Sequence, residues 1–195
     1  MSDSTETLLT LSKKILELAK EQAEFVKGEY ESYLTADLSL SKTIQSNELF
    51  RKVIRFTSDI TDSFPDLYKA ATGCKGVYVF RVKEQVSVNP FDFNLTPHGS
   101  PIRGANLKLQ VFSKDACFYV GKCYSLLTRM HSHFGDSKSA TGALRLSNDH
   151  RIFMKDNVIV YCFVFKKTFN NFYHVLAKVI EKELHEKLQP LIGNK

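Results

Sequence analysis

Residues 158–165 read VIVYCFVF, eight apolar side chains in succession between MKDN and KK. The run is too short for a typical helix and is rich in β-branched and aromatic residues, so it reads as a strand. A strand with one wet face alternates apolar and polar residues, and this one does not. It therefore belongs at the centre of a sheet, and the rest of the chain has to supply the cover.

Two further stretches have strand character: KGVYVFRV (75–82) and CFYVG (117–121). Between them, residues 84–116 hold three prolines and several glycines and asparagines, which predicts a long loop or an inserted subdomain with short strands. Helices are expected over 5–33, where Leu8, Leu11, Ile15, Leu18 and Ala19 form one stripe, and over about 46–60, from Leu49, Phe50, Val53, Ile54 and Phe56. Pro65 starts a short third piece. Ser125 is an N-cap for a helix over 126–134, and a short helix is expected around 140–146. The strongest helical pattern is 170–190, with Val175, Leu176, Val179, Ile180, Leu184 and Leu188 on one face and Pro190 at its end. The expected fold is α/β in the α+β sense: a small mixed or antiparallel three-stranded central sheet flanked by helices. A helical N-terminal extension covers 1–71, and the main domain covers 72–195 with its insertion at about 84–116.

Charge divides the chain at a similar place. Residues 1–70 hold 9 Lys/Arg against 12 Asp/Glu, and residues 71–195 hold 18 against 9. The second part attracts polyanions, among which nucleic acid stands first; a solvated lysine-rich surface gives the same count. Cys74, Cys117, Cys123 and Cys162 form no CxxC pair and no zinc-finger spacing, so they read as buried free thiols in a reducing compartment. No apolar run reaches membrane-spanning length and the N-terminus lacks signal-peptide character. The expectation is a soluble cytoplasmic protein with no membrane partner.

The residues that carry chemistry cluster around FYVGKCYSLLTRMHSHF (118–134). GVY at 76–78 and YVG at 119–121 lie on the two strands. Lys122 follows the second tripeptide, Arg129 lies ten residues after Tyr119, and His133 comes one helical turn after Arg129. Glu181 sits on the last helix, ahead of Pro190. This joint spacing resembles the GIY-YIG nuclease family over about Lys75 to the C-terminus. The resemblance implies a magnesium- or manganese-dependent endonuclease that hydrolyses DNA phosphodiester bonds. It assigns Tyr119 as general base, Tyr78 as its hydrogen-bonded support, Lys122 as a lysine near that phenol, Arg129 as the phosphate clamp and Glu181 as the metal carboxylate, with His133 completing the helical face. Two features depart from the family pattern: residues 79–118 make an unusually long spacer, and Asn194 stands one place later than the family's asparagine, which would fall at Gly193.

The physical requirements run parallel. A free phenol titrates near 10, and a neighbouring ammonium such as Lys122 would lower it. Arg129 offers a planar fork for phosphate oxygens. A cation on Glu181 would polarise the phosphate, and a site with a single carboxylate suits magnesium, which keeps most of its water. In the insertion and beyond, Arg103, Lys108, Lys114, Arg145 and Asn194 are candidate nucleic-acid contacts, with Phe91, Phe93 and Phe112 as stacking faces. Taken singly, each residue has an ordinary explanation: strand tyrosines, a solvated arginine, an edge glutamate among Glu181, Glu183 and Glu186. A single site cuts one strand, so a double-strand break needs a homodimer, two nicks or a partner; the N-terminal helices offer a dimer contact. The alternative function is a non-catalytic nucleic-acid-binding module that keeps the fold.

Overall fold

The computed structural model describes residues 2–32, 41–44, 47–57, 68–69, 71–89, 111–135, 143–147, 152–169 and 172–192. Its centre is a five-stranded antiparallel sheet in the order β1-β2-β7-β3-β6. The strands are β1 (Ser41–Thr43), β2 (Phe50–Phe56), β3 (Gly76–Val82), β6 (Cys117–Cys123) and β7 (Val158–Phe165). A separate two-stranded ribbon, β4 (Val86–Ser87) with β5 (Val111–Phe112), closes the base of the insertion. The helices are α1 (Ser2–Ser32), α2 (Leu126–Phe134), α3 (Ile152–Lys155) and α4 (Tyr173–Leu188).

β7 is the middle strand, and all eight of its residues are buried. Val158, Val160, Cys162 and Val164 enter one core, and Ile159, Tyr161, Phe163 and Phe165 enter the other. α1 and α4 cover the second face. Ala19, Ala23, Val26 and Tyr30 of α1 are buried there, and the Tyr30 hydroxyl donates to the Asp115 carbonyl at 2.9 Å. The stripe read from the sequence is used only where α1 reaches the sheet: Leu11 stays exposed, Ile15 and Leu18 are half-buried and Ala19 is buried. α2, with Leu126, Met130 and Phe134, covers the first face. No helix among the described residues is long and apolar enough to cross a membrane.

The sheet is wider than expected because 50–56 is a strand, not a helix. β2 pairs with β7 through a bulge: Phe50 faces Phe165, Lys52 faces Val164, and Arg51 is the extra residue. The bulge places Phe50 and Val53 on the same face, three residues apart, which imitates helical spacing. The N-terminal segment is thus not a purely helical extension, since it adds β1 and β2 to the main sheet. The short helix expected around 140–146 is also absent among its described residues: 143–145 are irregular, and Arg145 has a left-handed φ of 51°. Pro65 lies outside the described residues.

α4 ends as its sequence requires. Gln189 adopts a left-handed conformation, and Pro190 cannot continue the helix. The chain then turns back along the open edge of β6, where Leu191 N–H donates to the Cys117 carbonyl and Ile192 N–H to that of Phe118, each at 3.0 Å.

Candidate active site

The two glycines of the tripeptides have steric causes. Gly121 faces Tyr78 across the β3–β6 pair, and a Cβ there would lie 2.4 Å from the Tyr78 hydroxyl and 2.5 Å from its ring carbon Cζ. Gly121 therefore lets the Tyr78 ring lie across the neighbouring strand. At Gly76 a Cβ would lie 2.5 Å from the Phe163 carbonyl oxygen. A bulge also sets the direction of Tyr119. Phe80 pairs with Tyr119 and Arg81 with Cys117, so Phe118 is the extra residue and both aromatics join the first core.

On that face Tyr78, Tyr119, Arg129 and His133 meet. Tyr78 and His133 are fully buried. The His133 ring lies 5.3 Å from that of Tyr78, 5.4 Å from Tyr119 and 5.1 Å from Phe80, centroid to centroid. α2 supplies Arg129 and His133. Ser125 has the extended backbone of an N-cap, but its hydroxyl pairs with that of Thr128 instead of capping the helix; Leu126 N–H donates to the Cys74 carbonyl.

Leu144 N–H donates to His133 Nδ1 at 3.0 Å, so Nδ1 carries no proton. Burial, with the Arg129 charge adding to it, holds the His133 pKa well below the usual histidine range, so the ring is neutral and its proton is on Nε2. Nε2–H then donates to the Tyr78 hydroxyl at 2.8 Å, and Arg129 Nε–H donates to the same oxygen at 3.0 Å. With both lone pairs engaged, Tyr78 directs its own proton to Tyr119, its hydrogen-bond partner. Tyr119 also bonds with Arg129. Its oxygen thus accepts from both groups.

That geometry defines what Tyr119 can do. As a neutral phenol it presents a donor. It offers a lone pair to water only as a phenolate, which Arg129 and the Tyr78 proton would both stabilise. Burial is the largest influence and raises the Tyr119 pKa, Arg129 opposes it, and Glu181 raises it further. Burial likewise holds Tyr78 well above the usual tyrosine value, against the pull of Arg129.

Lys122 does not take the expected role of lowering this phenol. It stands three residues from Tyr119 on a strand, so it faces the other side of the sheet, toward α4. There it forms an ion pair with Glu181, with both side chains partly exposed at 30% and 22%. Of the three α4 glutamates, the structure brings Glu181 to the β6 edge. Glu186 pairs with Lys182, and Glu183 lies near Lys187.

Of the other candidates, Lys114 and Arg145 are among the described residues. Lys114 is exposed on the turn before β6, at the opposite end of that strand from Lys122. Arg145 is half-buried in the segment that closes over His133 through Leu144. Arg103, Lys108, Asn194, Phe91 and Phe93 lie outside the described residues, and Phe112 is buried rather than available for stacking. Sequence reasoning missed the Leu144 amide, a main-chain donor from a distant loop that has no side-chain signature.

Among the described residues, no three His, Cys, Asp or Glu side chains converge on a metal-sized space. Glu181 alone fits a hard cation that draws its other ligands from water and substrate phosphate, and the partial exposure of its carboxylate is compatible with that. Such a cation would have to share or displace the Lys122 contact. No family model, no curated protein and no solved structure matches this chain.

Proposed function

We propose that the chain is a GIY-YIG-type endonuclease that hydrolyses DNA phosphodiester bonds with magnesium or manganese. The observation that carries the reading is the convergence of Tyr78, Tyr119, Arg129 and His133, from two strands and a helix, into one directional hydrogen-bond network beside Glu181. In this reading Arg129 orients a phosphate while bonded to both phenols. Tyr78 and His133 hold Tyr119 in place, and Tyr119 as phenolate takes the proton of the attacking water. Glu181 would hold the cation, which supplies positive charge to the phosphate and the departing oxygen. Lys122 orients Glu181 through their ion pair until then. The homodimer through α1 remains part of this proposal for double-strand cutting, with Leu9, Leu11 and Leu16 exposed on that helix.

A second reading, a DNA-binding module without turnover, is favoured by one observation: Glu181 is neutralised by Lys122 while the Tyr119 pKa is raised. Incubation of plasmid and a random-sequence DNA library with the purified protein in magnesium separates the two. The nuclease reading expects nicked or linear product that disappears with EDTA and with Glu181→Ala. Binding without product on either substrate would replace it with the binding module.

A further inference from the structure

Just beyond the candidate site, at the end of β6, Tyr124 stands half exposed, at 49% of its full surface. Its ring is not free to swing. It meets the buried Tyr173 edge-on with centroids 4.8 Å apart, it lies 4.7 Å from the His174 ring, and its hydroxyl is hydrogen-bonded to His174 Nδ1. An exposed aromatic held at a fixed angle is a stacking platform.

Two lysines, Lys75 and Lys178, bring positive charge to its surroundings. Gly76 pairs with Cys123, so Lys75 stands opposite Tyr124 one step further along the register; its ammonium lies 5.5 Å from the Tyr173 ring centre. On α4, His174, Lys178 and Glu181 follow at four- and three-residue steps, which puts them on one helical flank. That flank is the one beside β6, because His174 bonds Tyr124 and Glu181 bonds Lys122. A track therefore runs from Tyr124 through His174 and Lys178 to Glu181 at the β6 edge, whose charge reaches Tyr119. Five residue steps lead from Tyr119 to Tyr124, about 16 Å along extended chain. That distance matches up to about five stacked nucleotides at 3.4 Å each, and fewer if the strand is extended.

We propose that Tyr124, Lys75, His174 and Lys178 form a subsite for an unpaired nucleotide strand that flanks the phosphate held at Arg129. The inference rests on the nucleic-acid reading above and names its substrate class: DNA that is single-stranded on this side. A base inside a duplex has both faces covered by its neighbours, whereas an unpaired base can stack on the Tyr124 ring. The cations track the phosphates, and no base edge is read, so the subsite is indifferent to sequence.

The test measures binding by fluorescence anisotropy of the full chain in EDTA, so that cleavage plays no part. The probes are labelled oligo-dT, a blunt duplex and heparin. Tyr124→Leu is expected to weaken oligo-dT binding about fivefold or more, with Tyr124→Trp restoring it, while duplex and heparin binding stay unchanged. Lys178→Gln is expected to lower the slope of log affinity against log salt by about 0.7 on oligo-dT. Oligo-dT binding by Tyr124→Leu equal to wild type, or equal losses on all three probes with thermal melting unchanged, would overturn the proposal. If the subsite behaves as expected but magnesium yields no product on any DNA, the nuclease reading fails and this one stands. No binding of any DNA by the wild type at low salt would overturn both.

Discussion

Replacing Gly121 by alanine tests whether the site is built as described. The new Cβ would lie 2.4 Å from the Tyr78 hydroxyl, 2.5 Å from Cζ and 2.8 Å from Cε2. The obstacle is a wholly buried ring, not the free end of a flexible chain. Overpacking of this kind costs about 1–3 kcal/mol. If the ring moves, the donors His133 Nε2–H and Arg129 Nε–H lose their shared acceptor, and an orphaned buried donor costs about 1–3 kcal/mol more. The expected loss is about 2–6 kcal/mol, a large part of the stability of an ordinary domain. Urea denaturation of wild type, Gly121→Ala, Tyr78→Leu and the double variant measures it. The double variant should lose at least about 1 kcal/mol less than the sum of the singles, because the shorter side chain removes the clash. Gly28→Ala is the control: nothing lies within 4 Å of its Cβ position, and near the C-terminal end of α1 it should stabilise by at most roughly 0.5–1 kcal/mol. Gly121→Ala as stable as wild type, or strictly additive with Tyr78→Leu, would refute the account of Tyr78 lying across residue 121.

Two further outcomes follow from the network. His133 is buried neutral with its folded pKa depressed, so its contribution to stability is present above the ordinary histidine value near 6.5 and is lost as pH falls through and below it. Thermal melting between pH 7.5 and 5 should fall, and His133→Gln should flatten that fall; an unchanged slope would place the acid sensitivity elsewhere. Arg129→Lys keeps the charge but not the planar fork that serves both tyrosines, so it should abolish cleavage while DNA binding weakens only a few-fold. Cleavage at the wild-type rate would count against Arg129 as the shared donor.

The sequence made some parts of this legible and hid others for physical reasons. β7 and α4 were plain because one is apolar throughout and the other carries a full helical stripe closed by Pro190. β2 was hidden by its bulge: an extra residue at Arg51 turns a period of two into a step of three and copies a helix. The positions of Tyr78, Tyr119, Arg129 and His133 were readable from spacing, and the structure brings them together. The partner of Lys122 was not readable from proximity in sequence, but strand alternation gives it, since residues 119 and 122 face opposite sides. The direction of the proton chain depends on the Leu144 amide, and no pattern of side chains encodes that contact.

The central claim is that Tyr119 acts as phenolate at the end of a donor chain. The most direct measurement is the single-turnover cleavage rate of a susceptible DNA at fixed magnesium between pH 6 and 9, for wild type and Tyr119→Phe. Because burial raises the Tyr119 pKa, the active form is scarce at neutral pH. The wild-type rate should therefore climb about tenfold per pH unit across this range, and Tyr119→Phe should show no measurable cutting at any pH. A rate independent of pH, or a phenylalanine variant that cuts like wild type, would contradict the assignment of Tyr119 as the base.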